Sequence, residues 1–189
     1  VIEFKNVRKA YGERLLIDVD EGLAGDLIRR LSMYKLRSDV ALEPTDLQVT
    51  RGTGPAPEGA IADPRDPALG WRGYGLGADD ATDWDAIRVE HLVPEAGLEL
   101  IPNDSFILEM GFERLHGVDF RKGCYVGQEV TARMKHKTEL RKGLARVALD
   151  GPVPPGTPIL TADGREAGTV FTQSGGRGIA YLRFDRIGQ

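Results

Sequence analysis

Lys122-Gly123-Cys124-Tyr125-Val126-Gly127-Gln128-Glu129 decides how the rest of this chain is read. It holds the only cysteine among 189 residues, between two glycines, and leads into a segment carrying Arg133, Lys135, His136 and Lys137. Gly123 and Gly127 allow backbone conformations or close approaches that a side chain would block, so the stretch reads as a tight turn. The turn delivers a thiol to or near the start of a helix, where unpaired amide groups favour negative charge and stabilise a thiolate. Lys122 pushes the same way. A plainer reading stands beside this one: a small buried thiol filling a gap after a turn.

Working outward, residues 127–138 read as a helix. Val130 and Met134 are placed on its core face, with Glu129, Arg133 and Lys137 at four-residue steps on another. From Arg121 to Lys142 seven basic residues face only Glu129 and Glu139, so this segment is net +5 on a chain of net charge −4. A local positive patch on an acidic protein suits a small anionic ligand better than a nucleic-acid backbone. A solvated helix face with internal ion pairs explains it equally well. His136 reads as exposed.

Beyond 140 the period changes to two. Segments at 144–149, 158–160, 167–172 and 178–182 are separated by Asp150-Gly151, Pro154-Pro155-Gly156, Asp163-Gly164 and Ser174-Gly175-Gly176, so the end of the chain reads as an antiparallel barrel or sandwich of five or six strands.

Upstream, residues 1–20 read as a hairpin turning at Tyr11-Gly12, with Ile2, Phe4 and Val7 before the turn and Leu15 to Val19 after it. Residues 22–36 are helical, with Leu23, Leu27, Ile28, Leu31 and Tyr34 as a core stripe. Short strands at 40–42 and 47–49 flank Pro44, and 52–59 is a glycine- and proline-rich loop. Arg72 either meets an anionic ligand or pairs with a carboxylate at a sheet end. Residues 82–92 form a second helix capped by Thr82 or Asp83, with Trp84, Ile87 and Leu92 on one face and Val89 and His91 at its edges. His91 has no neighbouring histidine or cysteine in sequence, so a metal role is not favoured. Strands and helices in this order indicate an α+β fold.

Composition sets limits. With 29% charged residues and no long apolar run, the chain reads as an ordinary globular protein with no membrane span and no nucleic-acid partner. One cysteine makes neither an internal disulfide nor, alone, a metal site. No secretory pattern opens the chain, so the expected setting is cytoplasmic. Val1-Ile2-Glu3-Phe4 reads like the middle of a sheet protein, so further residues are expected upstream.

The octapeptide resembles the K-G-C-[FY]-x-G-Q-E signature of the YgfZ-type folate-binding proteins, relatives of the glycine-cleavage T-protein (aminomethyltransferase) that are linked to iron–sulfur cluster assembly or repair. Asp104-Ser105-Phe106, Leu108-Glu109 and Gly117-Val118-Asp119-Phe120 before it, and Arg133 after it, extend the likeness, as do Asp63-Pro64-Arg65 and Gly70-Trp71-Arg72. It covers the chain well after residue 80 and more thinly before. Departures occur where Pro94-Glu95-Ala96-Gly97 interrupts a turn after Arg88, and where Ile107 stands in place of a proline.

The resemblance implies a T-protein-like folate-binding body over residues 1–138, incomplete at its N-terminus, and a small C-terminal antiparallel β-barrel over 139–189. It implies tetrahydrofolate or a related reduced folate as ligand, with iron–sulfur proteins or assembly factors as partners. Cys124 becomes the functional thiol, as nucleophile, transient redox centre or transient cluster ligand, within the motif residues Lys122, Gly123, Tyr125, Gly127, Gln128 and Glu129. Lys122, Arg133 and Arg88 would supply positive charge for the glutamate tail. Glu109 would accept the paired N–H donors of the pterin, with an ion pair as the competing role. This reading is an accessory folate-binding protein. The alternatives are an aminomethyltransferase-like one-carbon transferase and an interaction domain with no ligand.

Overall fold

Strand β1 (Ile2–Lys5) pairs antiparallel with β2 (Arg14–Ile17), Phe4 opposite Leu15, and on its other edge with β3 (Ala41–Pro44). This is the expected hairpin with a third strand added. The computed structural model describes residues 2–5, 14–77, 81–125, 127–137 and 139–187. Val7 and the Tyr11-Gly12 turn lie outside them, as does Thr138, the expected end of the last helix.

Helix α1 (Glu21–Lys35) begins where the Asp20 carboxylate accepts the Gly22 N–H at 2.9 Å, with Glu21 and Lys35 matching the helix dipole at its two ends. Leu27, Ile28 and Leu31 are half-buried, but Leu23 is exposed and Tyr34 is 79% exposed, and no residue of α1 is fully buried. The stripe is therefore not the core face its periodicity suggested. The helix packs on β3, and a four-residue strand spans only about 13 Å against about 22 Å for fifteen helical residues.

The same compact unit holds an antiparallel sheet in the order β4-β6-β5, made of β4 (Val49–Gly52), β5 (Ile61–Ala62) and β6 (Trp71–Tyr74). Arg72 on β6 pairs with Asp18, just past the end of β2, which is the sheet-end carboxylate reading. Gly70 has a φ of +65°, and a Cβ there would stand 2.2 Å from the Gly52 carbonyl oxygen, so only glycine allows β6 to enter so close to β4.

The second unit comprises Asp63–Leu69 and Ala81–Gln189. Helix α2 (Trp84–His91) is capped by Asp83, whose carboxylate accepts the Ala86 N–H at 2.9 Å, and it stops at Leu92 in the left-handed region. The short turn Pro67–Leu69 brings Leu69 against Val93 and Leu115, with Ile87 packed beside them. Val89, expected at the helix edge, is fully buried, and α2 packs against two strands near the end of the chain, Glu166–Ser174 and Arg177–Arg183.

Helix α3 (Gln128–Lys137) follows, and then the sheet β7-β10-β9-β8, all antiparallel: β7 (Lys142–Ala148), β8 (Thr157–Leu160), β9 (Glu166–Ser174) and β10 (Arg177–Arg183). Ala167, Val170, Ile179, Ala180 and Leu182 fill its buried positions. Gly168 lets β9 approach β10, since a Cβ there would lie 2.3 Å from the Tyr181 carbonyl oxygen. The described residues make four strands here, not five or six. Pro152, Pro154 and Pro155 carry no N–H for a further ladder, so 150–156 remains a connection.

The α+β class stands, with an antiparallel C-terminal sheet. The compact units, however, do not divide at 138/139: residues 81–137 cluster with the C-terminal strands because α2 and the turn after it are bonded into β9.

Candidate functional site

The octapeptide turn is built from local hydrogen bonds and two left-handed glycines. Before it, the Asp119 carboxylate accepts the Arg121 N–H at 2.8 Å. That backbone donor and the Arg121 side chain hold the Asp119 carboxyl below the usual carboxylate range. Gly123 has a φ of +90° and Gly127 one of +85°, in line with the tight turn expected of them. The Tyr125 N–H donates to the Gln128 side-chain oxygen at 3.0 Å, and the Gln128 N–H returns to the Tyr125 carbonyl at 3.3 Å. Gln128 thus reaches back from the first residue of α3, as glutamine does in a capping box.

Cys124 is exposed, which removes the gap-filling reading. Lys122 Nζ lies 5.3 Å from the centre of the Tyr125 ring, a cation held over the aromatic face. The Tyr125 hydroxyl is closed off from solvent without a hydrogen-bond partner among the described residues. Phe120 joins the turn to α3: its ring lies 5.5 Å from Lys135 Nζ and meets His136 edge-on at 6.4 Å.

Three basic residues of the segment meet carboxylates, two of them on residues that precede it. Arg121 meets Asp119, Arg133 meets Glu129 at 2.6 Å, and Lys135 meets Glu113 through both carboxylate oxygens at 2.7 and 2.8 Å. These are exposed pairs screened by solvent, so a ligand anion can compete for Arg133 at little cost. Val130, assigned to the core face, is 51% exposed, and Thr131 is the buried residue of that turn. The Lys137 side chain, the third member of the expected ladder, lies outside the described residues.

Arg88 is elsewhere and otherwise engaged. It is 4% exposed, and its guanidinium meets Asp85 at 3.0 Å, Glu95 at 2.7 Å, Glu99 at 2.6 Å and the Val93 carbonyl at 3.2 Å. Those acceptors leave no open face for a glutamate tail, so Arg88 is a structural centre of unit two and not the anion contact expected from sequence. Glu99, which sequence reading passed over, is the carboxylate it serves. The one available signal was an acid inside the apolar run Leu98-Glu99-Leu100-Ile101.

Glu109 is half-buried and accepts the Tyr181 hydroxyl on Oε2. The competing expectation of an ion pair is not met among the described residues. No hydrogen bond or ion pair among them joins Glu109, Arg88 and Cys124 to one another. His91 Nδ1 lies 3.2 Å from Asp66 and takes part in no metal-ligand group among the described residues. A depression of about 270 Å³ at the β9–β10 turn is lined by Leu149, Gln173 and Arg177, none of them an expected site residue.

Tested against a reduced folate, this donor set fits at two points. The Glu109 carboxylate keeps free lone pairs for the N–H edge of a pteridine, and Lys122 and Arg133 are exposed cations for a carboxylate tail. Arg88 does not fit.

No helix among the described residues is long and apolar enough to cross a membrane. Residues 141–189 match the family described as CAF17, C-terminal beta-barrel domain. The mitochondrial iron–sulfur cluster assembly factor IBA57 of Mus musculus is 35% identical over 91% of this chain, and that of Homo sapiens 32% identical over 91%. The IBA57 homolog of Mycosarcoma maydis is 35% identical over 75% of the chain, which spans 41% of that relative. The names of these relatives place those proteins in the mitochondrion and not in the cytoplasm expected here. Over nine-tenths of its own length the chain is thus homologous to the IBA57 iron–sulfur cluster assembly factors of mouse and human, of whose length it spans 57%, and it ends in a stretch matching the CAF17-type β-barrel.

Proposed function

We propose that this chain is a YgfZ-type protein that binds tetrahydrofolate or a related reduced folate and assists the assembly or repair of iron–sulfur clusters in target enzymes. The observation that carries the reading is the exposed Cys124 thiol, presented on a turn between two left-handed glycines ahead of α3. The names of the relatives support the iron–sulfur half of the reading. The octapeptide and the partly free Glu109 carboxylate support the folate half.

In this reading Glu109 serves the pteridine, and Lys122 and Arg133 draw in the glutamate tail. Cys124 acts on a partner's cluster or on bound ligand. A single thiol cannot complete a cluster site, which usually takes four ligands, so contact with a cluster needs sulfurs from the partner or from small thiols. The partners are iron–sulfur proteins or their assembly factors.

The experiment is calorimetric titration of tetrahydrofolate into the chain. Saturable binding at a stoichiometry of about one supports the folate reading. Absence of binding removes the ligand and leaves the cysteine turn as a surface for a protein partner.

A further inference from the structure

Glu109 is held at two levels by a single rung of the C-terminal sheet. Its main-chain carbonyl accepts the Leu144 N–H at 3.1 Å, and its carboxylate Oε2 accepts the Tyr181 hydroxyl. Leu144 on β7 and Tyr181 on β10 are direct cross-strand partners. Lys142 Nζ, also on β7, lies 6.0 Å from the centre of the Tyr181 ring.

The carboxylate is only partly used. Each of its oxygens has two lone pairs. Tyr181 takes one on Oε2, and Oε1 accepts no hydrogen bond from a described residue. Glu99 is the contrast within the same unit. It is 1% exposed, and both its oxygens are occupied by Arg88, the Glu95 N–H, and the hydroxyl and N–H of Thr172. A carboxylate serving as a latch is buried and consumed on both sides, as Glu99 is. Glu109 is half-buried, fixed by one oxygen and open on the other.

Tyr181 acts on Glu109 as a donor. Burial, followed by the hydrogen bond and charge of Glu109, holds its hydroxyl protonated well above the usual tyrosine range.

We infer that Tyr181 is a positioning residue that aims the Glu109 carboxylate at a ligand edge offering two adjacent N–H donors, the amidine edge of a reduced pteridine. The inference rests on the folate reading above and adds a residue to it: specificity for the ring is set from strand β10, through a hydroxyl that need not touch the ligand.

The test compares tetrahydrofolate with its analogue lacking the exocyclic amino group, titrated into the wild-type chain, Tyr181→Phe and Glu109→Gln. The wild-type chain should prefer tetrahydrofolate by about tenfold, the worth of one hydrogen bond to a charged acceptor. Tyr181→Phe should weaken tetrahydrofolate and shrink that preference, while the analogue binds nearly as before. Glu109→Gln should lose the preference with the tyrosine intact; a preference that it keeps would leave Tyr181 no carboxylate to aim and overturn the inference even where Tyr181→Phe does not fold by circular dichroism. A preference kept in full by Tyr181→Phe, or equal weakening of both ligands, overturns the positioning role and leaves the folate reading in place. Failure of tetrahydrofolate to bind the wild-type chain overturns the folate reading and this inference with it.

Discussion

One oxygen of Glu99 accepts both the hydroxyl of Thr172 at 2.6 Å and its main-chain N–H at 3.1 Å, 73 residues further along the chain. The other oxygen pairs with Arg88 on α2. A single buried carboxylate thus ties helix α2 and the turn after it to the middle of β9. Removing one partner of a buried ion pair leaves the other charge uncompensated, at a cost of about 3–5 kcal/mol. Glu99→Ala should therefore lower the urea unfolding free energy by about that much, a large part of the roughly 5–15 kcal/mol typical of a domain. Arg88→Ala should be destabilising too, because it strands Glu99. An Arg88→Ala variant that kept its stability and lost only ligand affinity would restore the anion-binding role withdrawn above.

A second expectation concerns the Tyr125 hydroxyl, buried without a partner among the described residues. Leaving such a group unsatisfied costs about 1–3 kcal/mol, and replacing it by hydrogen keeps the ring and its contact with Lys122. Tyr125→Phe should be neutral or stabilising by up to about 1 kcal/mol in urea unfolding. A clear loss of stability would show that the hydroxyl has a partner, such as a bound water, and that the pocket around it is polar.

What could be read from sequence and what could not divides by range. The cap at Asp83, the left-handed glycines at 123 and 127 and the strand periods after 140 are local features, decided within a few residues, and the structure follows them. The α1 stripe and Val130 went astray because periodicity says which residues share a face and not whether anything covers it. Arg88 reads as a ligand contact in sequence because its acceptor Glu99 lies eleven residues away in an irregular turn. Tyr181 is 72 residues from Glu109 and reads in sequence only as a strand residue. Pairings of that length leave no trace in composition or spacing.

Cys124→Ser tests the thiol alone. The side chain is exposed, and exposed substitutions of this kind usually change stability by less than about 0.5 kcal/mol. The variant should unfold like the parent but fail to support iron–sulfur enzyme activity in cells lacking the protein. Lys122→Ala should give a smaller defect, since Lys122 tunes the neighbourhood of the sulfur and carries no reactive atom. A defect in Lys122→Ala as large as that of the cysteine variant would reverse this order and make the cation over Tyr125 the functional group.

The state of Tyr181 can be followed through pH. Its hydroxyl ionises above the ordinary value of about 10, because burial and the neighbouring Glu109 both oppose a phenolate. The folded chain therefore holds this proton more tightly than the unfolded chain does. The stabilisation that follows is complete below the unfolded value and is lost as pH rises beyond it. Urea midpoints of wild type and Tyr181→Phe should differ by a constant amount up to about pH 9 and narrow steadily above about pH 10, the gap closing only as the pH passes the raised folded value, since only the wild type has this proton to lose. Glu109→Gln should soften the convergence by removing the nearby charge. A gap that stayed constant through this range would mean that Tyr181 titrates as a free tyrosine and that its hydroxyl is not committed to Glu109.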